Sequence, residues 1–457
     1  MPPKTSNSTR SIRRRDFFKA AGVGAAVAAF GLPQFVPRRA MSDGKNGSAN
    51  ERITLAVIGV GGRGSELLRC MVGRMERGEV NIAAISDVDG KRLEKALETA
   101  GPQAAAYPDY RSILERKDID AVMLATPNHW HGVQSAQAAE CGKHIYCETP
   151  ACSTIDEGKA MIASAKRAKV AVQIGAQGRS QPELYLLRHY LENGAIGKIA
   201  RVDCWCAPSP IDERPAADGD PPSELDYDLW LGPLRWRPYN PRFSHGNFRW
   251  SLESGGGQLA DRGSHLLSCV LWCLSTDGTA PTTIEASGTS PTKGLWDAAV
   301  EMNVAYMFKK PDWTLTWNQP GEPAEMEPGN AEEPKFAPPI CGAVFRGESG
   351  EARLWGGNGS IWIEQKVRDW VLPADRAEII VYRSPGHFDD WFRGIKTGER
   401  TIANVDAAIG VANLCNLGNL AFLLDRKIEW SPSKGEIVGD EEARRLMGRP
   451  QRFPYAL

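Results

Sequence analysis

One stretch constrains this chain more than any other: "ITLAVIGVGGRGSELLRCMV", residues 53–72. Its β-branched, apolar opening, Ile53 to Val60, predicts a strand, and "SELLRCMV" predicts a helix. Between them stand Gly59, Gly61 and Gly64 in the spacing G-x-G-x-x-G, with Gly62 and Arg63 completing the loop. A strand-to-helix turn of this kind suits a dinucleotide. The first glycine permits the tight turn, the second lets backbone approach the pyrophosphate, and the third lets helix and strand pack closely. The unpaired N–H groups at the helix start then face the phosphates. Asp87 lies 23 residues past Gly64 and ends the strand-like "VNIAAISD". A carboxylate there can bond the adenosine ribose hydroxyls and repel a 2′-phosphate, which favours NAD over NADP. Asp87 could instead cap the helix "GKRLEKALETA", but Asp89 is equally placed to do so, which leaves Asp87 to the ribose.

The same rhythm continues downstream. Strands are predicted at "AVMLATP" (121–127), "HIYCETP" (144–150) and "VAVQIGAQ" (170–177), with helical "GVQSAQAAECGK" and "STIDEGKAMIASAKRAK" between them. Strands alternating with helices imply a parallel sheet covered on both faces, with ligands bound at the carboxyl ends of the strands. "TPNHWH" and "ETP" both fall at such ends. The later half reads differently, with alternating strands at "IARVDCWCA", "AVEMNVAYMF", "WTLTWN" and "GSIWIE". A Pro/Glu-rich stretch, Asn318–Ile340, predicts an extended loop.

Charge divides the chain as well. Residues 1–50 carry nine Lys/Arg against Asp16 and Asp43, so the remainder holds −8 within an overall net charge of −1. A mildly acidic body disfavours nucleic acid or an anionic membrane as partner. The basic start, "RRRDFFKAAGVGAAVAAFGLP", resembles a twin-arginine export signal, and its apolar run from Ala20 to Leu32 falls short of the roughly 20 residues a spanning helix needs. That route carries folded proteins with cofactor already inserted, so a periplasmic location is expected. Ten scattered cysteines without C-x-x-C, and seven histidines without a Cys/His cluster, predict buried thiols and no metal site.

The motifs "GVGGRG", "SDVD", "ATPNHWH", "YCETP", "GAQGRS" and "GGGQLADRGSH", with the tail "HFDDWFRGIKTGERTIANVDAAIGVANLCNLGNLAFLL", together resemble the Gfo/Idh/MocA family of NAD(P)-dependent oxidoreductases. The resemblance runs from about Arg52 to the C-terminus. It implies an α/β fold: an N-terminal Rossmann dinucleotide-binding domain followed by an α+β domain with an open, mostly antiparallel sheet. The expected division is an export signal and linker (1–50), a Rossmann NAD-binding domain (51–177), and an α+β substrate and oligomerisation domain with C-terminal helices (178–457). The open sheet face often builds a dimer in the family, so a homo-oligomer, dimer or tetramer, is expected.

By the same resemblance Thr126, Asn128, His131, Glu148 and Pro150 lie on the cofactor side, with Pro150 in a cis peptide bond. Asn128 and His131 could equally serve only to start the following helix. Thr149 stands where the family has a catalytic lysine, and a hydroxyl cannot act as an amine base. The remaining proton-handling candidates are Asp261 and His265 in "ADRGSH". They would share a face at i, i+4 on a helix start, or flank a tight turn at Gly263. Thr149 would hold a water or a substrate hydroxyl. Arg179 either faces substrate or forms an ion pair in the domain hinge. Trp250, in the aromatic run Tyr227–Trp250, either binds sugar or belongs to an aromatic core.

The expected function is hydride transfer between tightly held NAD and a hydroxyl of a sugar, glycoside or cyclic polyol. A second reading is an NAD-dependent glycosidase of the glycoside hydrolase family 109 type, which oxidises transiently, eliminates, and reduces again. A third is a carbohydrate-binding protein that has lost its chemistry.

Overall fold

The computed structural model describes residues 52–214, 217–321, 340–356 and 361–457. The expected export signal and linker lie outside the described residues, as does most of the Pro/Glu-rich stretch, residues 322–339. Residues 52–457 form one compact unit.

Six strands build the first sheet: β1 (Ile53–Ile58), β2 (Val80–Ser86), β3 (Ala105–Tyr107), β4 (Ala121–Leu124), β5 (His144–Cys147) and β6 (Val172–Ile174). They pair in parallel in the order β3-β2-β1-β4-β5-β6. This is the doubly wound arrangement, whose order reverses beside β1 and opens a crevice there. Helices α1 (Gly62–Glu76), α2 (Gly90–Ala100), α3 (Asn128–Glu140) and α4 (Ile155–Ala168) connect the strands. Asp89 caps α2 by accepting from the N–H groups of Lys91 and Arg92, so the expected cap is the one used. β4 is buried at every residue, as a strand covered on both faces must be.

The second sheet has nine strands: β7 (Ile199–Cys206), β8 (Thr283–Thr289), β9 (Glu301–Lys309), β10 (Asp312–Gln319), β11 (Cys341–Gly347), β12 (Gly350–Gly356), β13 (Ile361–Ile363), β14 (Ile428–Ser431) and β15 (Glu436–Ile437). Their order is β13-β12-β11-β7-β10-β9-β8-β14-β15, and every pairing except β7 with β10 is antiparallel. One face is apolar: Val202, Cys204, Tyr306, Leu315, Trp317 and Phe345 are buried under helices. The other carries Arg201, Asp203, Thr316 and Arg346, with Asp203 accepting from all three neighbours. Helices α5 (Gly263–Cys273) and α6 (Val405–Leu424) cover the apolar face together with the helix Pro182–Glu192, whose Leu184, Leu187 and Leu191 join the same core. α6 is long and apolar enough to cross a bilayer by composition, but Val411, Leu414, Leu417 and Ala421 are spent in this core. Eight of the ten cysteines are buried free thiols, including Cys204 and Cys206 on β7.

Candidate active site

The glycine loop is built as a cradle. Gly59 has φ +82°, and a Cβ there would stand 2.8 Å from the Thr126 amide nitrogen. A Cβ on Gly64 would fall 1.8 Å from the Gly59 carbonyl oxygen, so helix and strand approach closely only because residue 64 is glycine. No side chain caps α1, which leaves its first amides free for an anion. A cavity of about 320 Å³ follows the loop, lined by Gly61, Gly62, Asp87, Arg92, Tyr110 and Trp130 among others. A cradle that a Cβ would fill and an uncapped helix start fit a dinucleotide pyrophosphate.

Asp87 is less free than its position in the sequence implies. Its Oδ2 accepts from Val60 N at 2.7 Å and its Oδ1 from Asp89 N at 2.9 Å. The carboxylate therefore ties the glycine loop to the end of β2 while its remaining lone pairs face the cavity. Burial pushes its pKa up, against the two amide bonds that hold it down. Arg92 carries no motif signal, yet its guanidinium stands over Gly61, 2.9 Å from where a Cβ would sit.

A second, more polar cavity of about 540 Å³ adjoins the first and shares Arg63, Thr126 and Arg249 with it. Here the ends of β4 and β5 meet the start of α5. Thr149 follows β5 and forms a cis peptide bond with Pro150, as the resemblance implies. Its Oγ1 lies 2.9 Å from His265 Nε2. His265 Nδ1 is buried and has no partner among the described residues. Burial lowers the His265 pKa to about 4, against the opposing pull of Asp261, so the ring is neutral near neutral pH and can accept a proton.

Asp261 does not bond His265. It ends a short helix, Gly257–Asp261, and the chain bends at Arg262 before α5 begins. Its carboxylate accepts from Arg249 Nε at 3.0 Å and lies 3.5 Å from Arg262 Nε. The expected Asp–His pair is thus replaced by a Thr149–His265 pair, with Asp261 acting on the ring only through its charge.

Glu148 is buried beneath this chamber. Its Oε1 accepts from Arg63 Nε at 2.9 Å, Gln177 Nε2 at 3.1 Å and Tyr146 OH at 3.2 Å. Burial raises its pKa, with Arg63 opposing. Arg63 thereby joins the glycine loop to the end of β5. Tyr146 and Gln177 both lie in motifs singled out from sequence, but their roles appear only once β5 and β6 are paired.

The other candidates divide. Asn128 is not the helix cap; it lies in the first turn of α3 and donates to Gly255 O at 3.1 Å, joining the two domains. His131 stands between two strand ends, Nδ1 2.7 Å from Pro150 O and Nε2 2.8 Å from Thr126 O; burial lowers its pKa, and the neutral ring donates to one of these carbonyls at a time. Thr126 bonds Gln134 through its hydroxyl at 2.7 Å. Arg179 does not face substrate. It is 1% exposed, pairs with Asp277 at 2.6 and 2.8 Å, and also donates to Ser268 Oγ and Ile402 O, so the hinge alternative holds. Trp250 lines neither cavity; its ring packs on Trp296 at 6.4 Å, because the short helical turn Asn247–Trp250 aims it away. Arg249, from the same Tyr227–Trp250 run, does line the chamber, as do Glu66 and Arg262, neither of them marked as a site residue by the motifs around them.

Residues 53–176 match the Gfo/Idh/MocA oxidoreductase family's NAD-binding Rossmann domain, and residues 213–307 match that family's C-terminal α/β domain. A levoglucosan dehydrogenase of Pseudarthrobacter phenanthrenivorans is 37% identical over 198 residues, 40% of this chain and 43% of that protein. A glycosyl hydrolase family 109 protein of Saccharopolyspora erythraea is 31% identical over 205 residues, 42% and 44% respectively. The chain thus spans less than half the length of these curated relatives. The solved WlbA dehydrogenase from Bordetella pertussis, in complex with NADH and UDP-GlcNAcA, shares the fold at a TM-score of 0.58 and 18% identity, over 83% of this chain and 99% of that one. An NAD-binding domain and a C-terminal domain of the Gfo/Idh/MocA oxidoreductase family are thus both matched, in the family's order.

Proposed function

We propose that this chain is an NAD-dependent oxidoreductase that moves hydride to or from a hydroxyl of a sugar, glycoside or cyclic polyol. The observation that carries this reading is the Thr149–His265 pair at 2.9 Å, set beside the dinucleotide cradle. The levoglucosan dehydrogenase likeness supports a sugar hydroxyl as the reacting group.

Bound NAD supplies the hydride acceptor at its nicotinamide ring, and the chain manages the proton. The substrate hydroxyl donates to Thr149 Oγ1, which passes its own proton to His265 Nε2. As the carbon loses hydride its hydroxyl becomes strongly acidic, so a weak base suffices if it is neutral and in place. The low pKa of His265 meets that condition, and Asp261 steadies the resulting imidazolium by charge. In the reverse direction the same proton returns to the carbonyl oxygen. Gly59, Gly61, Gly62 and Gly64 hold the pyrophosphate, Asp87 the ribose, and the Arg63–Glu148 pair the floor of the chamber.

Export by the twin-arginine route would leave the enzyme where free NAD is scarce, so the cofactor is held tightly and regenerated by a second sugar. The polar face of the second sheet forms the homo-oligomer contact. The likeness to a family 109 protein supports the hydrolytic alternative, in which the same first oxidation precedes elimination. One experiment tests the main reading. Protein purified from the periplasm without added cofactor is denatured, and the supernatant assayed for NAD(H). Stoichiometric NAD(H), with sugar-dependent reduction in the intact protein and none in His265→Ala, is the expected result. An empty protein inert to sugars with added NAD refutes it.

A further inference from the structure

The dinucleotide cavity has walls from two domains. Beside Gly61, Gly62 and Asp87 it is lined by Leu229, Trp230, His245, Gly246 and Phe248, all from the segment 224–249 of the second domain. That segment holds together by itself. Leu225, Trp230, Leu231, Leu234, Phe243 and Phe248 form a small apolar core distinct from those of the two sheets, with Val88 of the first domain packed against it. A contiguous unit with its own core can shift as one piece.

It is fastened to the first domain in two places. At its base, Trp130 Nε1 donates to Leu229 O at 3.1 Å, and His129 Nε2 lies 3.1 Å from Trp230 O, both in buried surroundings. At its edge it pairs like a strand with the turn between β2 and α2. Gly90 N donates to Glu224 O and Asp226 N to Val88 O, each at 2.9 Å, so that Asp89 and Leu225 oppose each other. Lys91 pairs with Glu224, and His245 Nε2 stands 3.4 Å from Asp89 Oδ2. Gly90 and Lys91 are exposed, and a short pairing open to water gives way before a buried base does. The turn fastened in this way begins at Asp87, the acid placed for the ribose.

We propose that residues 224–249 are a clasp that retains the cofactor. The pairing of Glu224 with Gly90 and of Asp226 with Val88 is its catch, and NAD(H) is released when the catch opens. The inference rests on the NAD-binding reading of the cradle and not on any sugar chemistry.

The test is the rate at which the NADH-loaded full chain loses NADH fluorescence during a chase with excess NAD. Gly90→Pro removes the N–H that bonds Glu224 O. The position suits proline, because Gly90 is the first residue of α2 and Asp89 before it has φ −101° and ψ 110°. Release should become about tenfold faster. The double variant Asp89→Cys/Leu225→Cys acts in the opposite direction. Its two positions face each other without a direct hydrogen bond, where Cα atoms stand about 4.5 Å apart, within disulfide reach. Its oxidised form should release NADH about tenfold more slowly than its own reduced form. That comparison is internal, so it stands even if Gly90→Pro disturbs the fold. Equal release by the oxidised and reduced forms, or by the parent and a folded proline variant, overturns the clasp and leaves the cradle intact. A parent chain that binds no NADH overturns both.

Discussion

Thr149→Val separates the hydroxyl from the shape that carries it. Valine keeps the volume and β-branching of threonine, so the cis peptide bond with Pro150 and the packing can persist. What disappears is the 2.9 Å bond to His265 Nε2. His265 Nδ1 already lacks a partner, so among the described residues the ring would lose its one side-chain hydrogen bond and its orientation. Leaving a buried polar group unsatisfied costs about 1–3 kcal/mol, which should appear as a lowered urea midpoint with unchanged slope. The effect on hydride transfer should be larger, because a positioned general base contributes about 10²–10⁴-fold. The assay is single-turnover reduction of bound NAD, followed by absorbance, with the most active sugar or polyol from a panel. NADH affinity, measured separately, should not move, since Thr149 lies outside the glycine-loop cavity. Thr149→Ser restores the hydroxyl and should recover most of the rate. A valine variant that turns over within about tenfold of wild type would refute the relay, because so small a loss falls below what general-base catalysis supplies.

Other perturbations address the cradle, the hinge and the buried histidines. Gly64→Ala places a Cβ 1.8 Å from Gly59 O, so NADH binding should fall below detection while residual fold is followed by circular dichroism. Arg179→Met leaves Ser268 Oγ and Ile402 O without their buried donor, while Asp277, 31% exposed, can hydrate; it should cost about 1–3 kcal/mol in urea denaturation, yet leave NADH affinity of the folded fraction unchanged. Burial depresses His129 and His387 to about 3 and His265 to about 4, from an ordinary 6.5. Below pH 6.5 the unfolded chain takes up protons that the folded chain refuses, so stability should be level above that pH and decline towards about pH 3. Equilibrium unfolding at a series of pH values, with the His129, His265 and His387 ring signals followed by NMR, reads this. The raised Asp87 and Glu148 carboxyls act in the opposite sense, and rings that titrate near 6.5 in the folded protein would contradict their burial.

Much of the first domain was legible because its signals are local. The glycine spacing, the acid after β2 and the cap at Asp89 each act within a few residues of the atoms they serve, so sequence alone determined the cradle and the doubly wound sheet. Parts of the second sheet were not legible. "TIEASGT" in β8 alternates small and polar residues without an apolar stripe, and its pairing with β9 makes it a strand. Much the same holds for β11 and β12, a hairpin whose glycines at both ends weaken the pattern.

The chemistry of the site divides along the same line. Resemblance to the family put Thr149, Asp261 and His265 near one another and made His265 the expected proton acceptor. Tertiary structure decided which of them touch, because Thr149 and His265 are 116 positions apart and meet only where β5 ends against the start of α5. It also sent Asp261 to Arg249, Arg179 into the hinge and Trp250 onto Trp296. A side chain's type is set by the sequence, but its partner is set by which buried charges and donors must be satisfied at once, and that is known only when distant segments pack.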